Sequence, residues 1–472
     1  MVITMDELKE QLYYQKKNGY DLIDTQERLA LEEYCKLYMD YLDNSRTERE
    51  AVKNAIAMAK KHGFVEYKPG MELKCGTKIY YNNRGKALIL AVMGKKSLDE
   101  GTIIAGAHVD APRLDIKQIP LYEAGSAEMA YLKTHYYGGI KKYQWVTLPL
   151  ELHGVVCLKN GEKVEVVLGR EKDEPKFIIT DLLPHLAADQ MKKTMAEGIT
   201  GEGLNVLIGT TPYAGEGSSR VKLAIMSILN DMYGMTEEDF LSAELVAVPA
   251  YDVCEIGLDR SLIGGYGHDD RVCAFAEMHA LFSVENPEKT CVCLLADKEE
   301  IGSMGVSGMQ SQAFDAFMEE LCEATGAKLR RCFANSFCLS ADVCNAFDPL
   351  YAEVSESESS NKVNSNAKLN YGVGICKFTG ARGKSSTSDA SAEVVSHVRT
   401  LFAANNVLWQ LTELGKVDQG GGGTIAQYMA NRNIDTIDAG VPVLSMHAPF
   451  EVVSKLDCYM TFKAMLAAYN EK

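Results

Sequence analysis

Short apolar runs that each stop on a metal-ligand type of side chain constrain this chain more than any other feature. Thr102–Ala107 runs into His108, and Cys291–Ala296 runs into Asp297-Lys-Glu299-Glu300. Two further runs end at Ala341, before Asp342, and at Met446, before His447. Runs this short and continuous suit strands covered on both faces. Helical patterns lie between them, as in Gln310–Thr325 and Ser388–Leu414. The alternation predicts an α/β fold with a mixed, mainly parallel sheet sandwiched by helices. In such sheets ligands bind beyond the carboxyl ends of the strands, where these side chains would stand.

The length of 472 residues exceeds one ordinary domain. The first part reads as helices: Ser45-Arg-Thr-Glu48 has capping-box form and opens a helix with Val52, Ile56 and Ala59 on one face. Lys60, Lys61 and His62 suit the negative end of that helix and Gly63 its stop. A hairpin is expected around Asn82-Asn83-Arg84-Gly85. Between 119 and 240 the texture changes to tyrosine- and glycine-bearing segments, with a second hairpin turning at Asn160-Gly161. The expectation is a β-rich inserted domain over 119–240, splitting a discontinuous domain of 1–118 and 241–472 that carries the ligand motifs.

A formal net charge of −16 argues against nucleic acid and against an anionic membrane surface. No apolar stretch is long enough to span a bilayer, and the first residues carry acids where a secretory signal is basic and then apolar. The 13 cysteines form no Cys-x-x-Cys pair and read as core residues of a reducing compartment. The expected location is the cytoplasm.

Each ligand motif has a plain reading by itself. A histidine after a strand often serves structure, and Asp269-Asp270, ahead of the helical pattern Val272, Phe275, Ala276, suits a helix start. Their joint occurrence points further. Two histidines and several carboxylates suit zinc or manganese. The excess of carboxylates fits two ions sharing one bridging anion. Adjacent Glu299 and Glu300 can then divide labour, one holding an ion while the other moves a proton.

These motifs carry a resemblance to the M18 family of metallo-aminopeptidases, whose best-known members are aspartyl aminopeptidases. It is sharpest in His108-Val-Asp110-Ala-Pro112, Asp297-Lys-Glu-Glu-Ile-Gly302, Ser340-Ala-Asp342, Lys362-Val-Asn-Ser-Asn366 and Met446-His447. The Asp269-Asp270-Arg271 triplet is also similar to that of the related M42 aminopeptidases. The resemblance implies a zinc-exopeptidase-like fold and two divalent ions, zinc first, with manganese or cobalt as alternatives. Asp269 would bridge the ions, His108 and Asp342 completing one set of ligands, Glu300 and His447 the other. The catalytic residues it implies are Glu299, as general base, and Asp110, which orients His108. Lys362 would meet the substrate, with an acidic N-terminal side chain as its candidate partner; a surface lysine is the other reading.

The inserted domain would drive dimerisation, and dimers would build a dodecamer. One position departs from the family: Tyr143 stands where aspartyl members carry a histidine that reaches a neighbouring subunit. That leaves open both the contact between subunits and a strict preference for N-terminal Asp or Glu. Asp418-Gln-Gly-Gly-Gly-Gly-Thr424 lacks the lysine of a phosphate loop, so its glycines are expected to let backbone approach a substrate. The expected function is removal of N-terminal residues from peptides. The alternatives are a metal-dependent deacylase of N-acylated amino acids and a metal-stabilised scaffold, the latter having no need of Glu299 beside Glu300.

Overall fold

The apolar runs split by residue parity between two cores, one on each face of a central sheet. Leu88, Leu90, Ile103, Ala105, Cys291 and Cys293 face one core, while Ile89, Ala91, Ile104, Val292 and Leu294 face the other. This alternation is the two-residue period of a strand buried on both sides. The computed structural model describes residues 3–14, 16–356, 366–377, 380, 385–387 and 390–471.

Among the described residues the central sheet has nine strands and is mixed. Its middle is parallel: Thr290–Ala296, Thr102–His108, Phe337–Ser340 and Asp435–Gly440 lie side by side in that order. Antiparallel neighbours join on each side, among them the hairpin of Lys78–Asn83 with Ala87–Val92. Helices Thr25–Asp43, Glu48–Lys61, His268–Phe282 and Lys455–Tyr469 pack on one face. Ala313–Thr325 and Leu329–Ala334 cover the other. Helix His268–Phe282 is buried almost all round, so it shows no polar stripe.

A second sheet of six antiparallel strands begins at Arg113–Ala124 and ends with Ala243–Pro249, around a core that includes Leu114, Leu132, Trp145 and Val246. The segment 119–240 thus lies inside this sheet, whose first and last strands reach beyond it on both sides. The hairpin at Asn160-Gly161 joins its strands Leu150–Cys157 and Lys163–Leu168. A third sheet of five short strands contains Leu262–Gly265, Pro442–Leu444 and Glu451–Ser454.

Several local expectations shift. The capping box belongs to Thr47 and Glu50, not to Ser45 and Glu48. The same Ser/Thr-x-x-Glu spelling occurs twice, and Arg46 turns inward to Glu151, which keeps the first copy out of the helix. The helix expected from Gln310 begins at Ala313. The pattern Ser388–Leu414 holds helix Ala392–Ala404 and then strand Trp409–Leu411, because Asn406 adopts a left-handed conformation that ends the helix. The run before His447 is a strand of the third sheet, so the motifs do not all end on one sheet edge.

The junction of helix Glu48–Lys61 with the second sheet is ionic. His153 Nδ1 lies 2.7 Å from Glu50 and its Nε2 3.2 Å from Glu151, which also meets Arg46 Nε at 3.3 Å. Burial alone would lower the His153 pKa, but the Glu151 and Glu50 carboxylates raise it to about 9. The stabilisation is therefore complete below the ordinary value of 6.5 and is lost as pH rises through about 9. It amounts to about 3 kcal/mol at most. Denaturant unfolding of wild type and His153→Gln across this window should show the wild-type advantage shrinking by that amount. A constant difference would mean that His153 does not titrate there.

Candidate metal centre

Sheet register brings the first motifs to one level. Ala296 pairs with His108, and Ser340 with Gly106, so the chain leaves three neighbouring parallel strands toward the same place. There Glu299–Ile301 forms a single tight turn entered through Lys298 in a left-handed conformation. Asp269 and His447 arrive from the third sheet. Asp269 follows strand Leu262–Gly265 at the start of the long buried helix, and His447 follows Pro442–Leu444. The centre therefore sits in the seam between two sheets.

Asp269 is its middle. One carboxylate oxygen lies 3.1 Å from His108 Nε2 and the other 3.2 Å from His447 Nε2. Each imidazole is fixed from behind: His108 Nδ1 donates to the Asp110 carbonyl at 3.0 Å and His447 Nδ1 to the Gly139 carbonyl at 2.8 Å. A carbonyl only accepts, so Nδ1 carries the proton in each neutral ring. Nε2 then has its lone pair free for a cation.

The carboxylates surround this axis. Glu300 lies 3.6 Å from His447 Nε2, and Glu299 lies 4.0 Å from His108 Nε2. Three sets of ligand atoms fall within 4.8 Å of one another: His108 with Glu299 and Asp342, His108 with Asp269 and Glu300, and Asp269 with Asp270 and Asp342. Glu300 Oε1 is buried without a hydrogen-bond partner. A buried carboxylate oxygen in that state calls for a cation. On donor type, spacing and this orphaned oxygen, the residues fit divalent ions.

Asp110 does more than face His108. Its oxygens accept the backbone N–H groups of Glu299 and Glu300, each at 3.2 Å, and the Tyr137 hydroxyl at 2.7 Å. With Oδ1 also 3.3 Å from His108 Nδ1, one buried carboxylate thus orients a histidine and both glutamates. Tyr137 and Gly139 come from the second sheet and the loop after it, so that sheet helps to build the centre. Gly138 has positive φ, and a Cβ there would stand 3.2 Å from Glu300 Oε2; glycine gives the loop this close approach.

Burial, with the Asp110 and Asp269 charges, pushes the Glu299 carboxyl up to about 7 against the pull of His108. Burial likewise raises Glu300 and Asp342 well above the usual range, with neighbouring acids adding to it. For Asp269 burial acts upward too, but His108 and His447, when protonated and so able to donate from Nε2, hold it below the ordinary value. The centre therefore contains two carboxylates held ionised, Asp269 and Asp110, among several that burial and repulsion push toward the neutral form.

Three contributors are absent from the ligand motifs: Glu451, Tyr137 and the Gly139 carbonyl. Glu451 is buried and accepts the backbone N–H groups of His447 and Asp269. No apolar run points at it, and a backbone carbonyl has no sequence signal. Lys362 lies outside the described residues. Tyr143 is exposed and lines a cavity of about 430 Å³ together with His447, Met446 and Asn345. A cavity of about 470 Å³, which shares Gly139, Asn345, Met446 and His447 with it, opens between the centre and Gly421–Gly423, Thr412 and Gln427.

The family described as "Aminopeptidase I zinc metalloprotease (M18)" matches residues 41–469. A probable M18 family aminopeptidase 1 of Clostridium acetobutylicum is 45% identical over 96% of this chain and 98% of its own length. The crystal structure of an M18-family aminopeptidase from Thermotoga maritima superposes with a TM-score of 0.91 at 41% identity, covering 97% of this chain and all of that one. A yeast dodecamer, mApe1, shares the fold at 21% identity with a TM-score of 0.74, over 94% of this chain and 97% of its own.

Proposed function

This chain belongs to the M18 family and is a metallo-aminopeptidase, and on that premise we propose that it cuts N-terminal residues from peptides with a pair of divalent ions, zinc first. The observation that carries the proposal is Asp269, whose two oxygens each face a histidine Nε2 at 3.1 and 3.2 Å. His108 and Asp342 would hold one ion, Glu300 and His447 the other, and Asp269 both. Manganese and cobalt suit the same donors. When bound, the ions would polarise the scissile carbonyl and bring the pKa of water to about 7.

The chain's own residues do the rest. Glu299 takes a proton from the attacking water and returns it to the leaving amine, a role suited to a carboxyl near pH 7. Asp110 holds the backbone of Glu299 while it does so. A free α-amino group could offer its lone pair to the centre, which an acetylated N-terminus cannot, so the site would select for a free N-terminus. The 470 Å³ cavity has room for the first side chain. An acidic preference rests on Lys362 in the family resemblance.

Assembly is part of the same proposal. Met191, Met195 and Leu186 stand exposed beside the second sheet, which suits a role for that region in joining subunits, first as dimers and then as a dodecamer. No helix among the described residues is long and apolar enough to cross a membrane. A cytoplasmic place suits cysteines that mostly sit as small core residues, among them Cys273, Cys291, Cys293 and Cys338.

A panel of peptides beginning with Asp, Glu, Leu and Lys, each beside its N-acetylated form, tests the activity. Free-amine peptides should turn over and acetylated ones should not. Equal rates on both would overturn the aminopeptidase reading and favour the deacylase.

A further inference from the structure

We propose that Glu451 is a positioning residue that fixes the distance between the bridging carboxylate and the histidine of the second ion. The inference rests on the two-ion reading above. Glu451 opens the strand Glu451–Ser454, the middle strand between the two that deliver these ligands. On one side it pairs with Gly265, four residues before Asp269; on the other side its strand pairs with Pro442–Leu444, which leads to His447.

Neither ligand backbone is held by the sheet itself. Asp269 has already left its strand, and His447 has a left-handed φ of 63°. Glu451 supplies what the ladder does not. One of its oxygens accepts the His447 N–H at 2.8 Å and the other the Asp269 N–H at 3.1 Å. The side chains of the same two residues meet at 3.2 Å, which closes a ring from Asp269 through Glu451 to His447 and back. The carboxylate is 1% exposed, so no water competes for either N–H.

The geometry calls for a carboxylate and nothing smaller. Two donors, one beyond each flanking strand, must be met by two oxygens of one group. Glutamine would offer one oxygen and turn an amide N–H toward the other donor. Aspartate would reach one N–H but not both. In either variant one ligand backbone is released, and His447, at the outer and more exposed end, is the one with fewer other restraints. His108 keeps its own anchors on Asp110 and Asp270. The loss should therefore fall on the second ion, not on both.

Cobalt(II) titration of metal-stripped protein, followed by visible absorption and by metal content, tests this in wild type and E451Q. Circular dichroism of the stripped proteins checks folding, and E451D carries the same test should E451Q not fold. The wild type is expected to take up two ions in sequence. The variant should bind the first as wild type does and the second about 10–100-fold more weakly, the usual effect of removing an outer-shell partner. Two ions bound with unchanged affinity would overturn the clamp and leave the pair standing. Equal weakening of both would also overturn it, as the mark of a general structural role. A wild type that takes up a single ion would overturn the pair and the clamp together.

Discussion

Replacing Glu299 by Gln is expected to lower kcat by about 10²–10⁴-fold, the usual contribution of a positioned general base. Both ions of the proposed pair should stay. The amide matches the carboxylate in size, and its backbone keeps the hydrogen bond to Asp110 that sets the turn. What disappears is the capacity to hold a proton between attack and departure. The side chain stands 4.0 Å from His108 Nε2 and remains 17% exposed, so it faces the cavity where a substrate would lie. A rival role is written into the same geometry, since Glu299, His108 and Asp342 can converge on one ion. Metal analysis beside steady-state kinetics separates the two. Lost activity with two ions retained assigns the base; loss of an ion together with activity makes Glu299 a ligand.

Much of this centre was legible in the sequence because strands and ligands are neighbours along the chain. His108, Glu299, Glu300 and Asp342 each follow a buried strand within a few residues, and parallel pairing of those strands delivers them to one place. His447 looked the same on paper but belongs to another sheet. Its preceding run has the apolar character of a buried strand, and nothing local tells which sheet a three-residue strand will join. Glu451 was illegible for a different reason. It touches the centre only through backbone N–H groups, and its partners lie 4 and 182 residues away. The second sheet was visible as a change of texture, but its last strand, Ala243–Pro249, carries an apolar run like those of the central sheet. Texture marks the middle of such a sheet better than its edges.

Asp269→Asn should cost the enzyme its ions as well as its turnover, which sets it apart from the change at Glu299. Asp269 is the only group whose two oxygens face both histidines among the described residues. Asparagine keeps the volume but removes the charge, and it presents an N–H₂ group to one of the two cation positions. Repulsion between two dications would then lack its shared counter-charge. The remaining acids do not take its place: in the proposed pair Glu300 and Asp342 each already serve one ion. The affinity loss for at least one ion should exceed the about 10–100-fold that follows removal of an outer-shell partner. Activity should fall at least as far as in Glu299→Gln, and excess zinc should restore little of it, because the second position has lost its bridge and not merely its occupant. Calorimetric zinc titration of the stripped variant gives the count directly. Two ions held with wild-type affinity would show that Asp269 does not bridge, and the two-ion arrangement built around it would have to be abandoned.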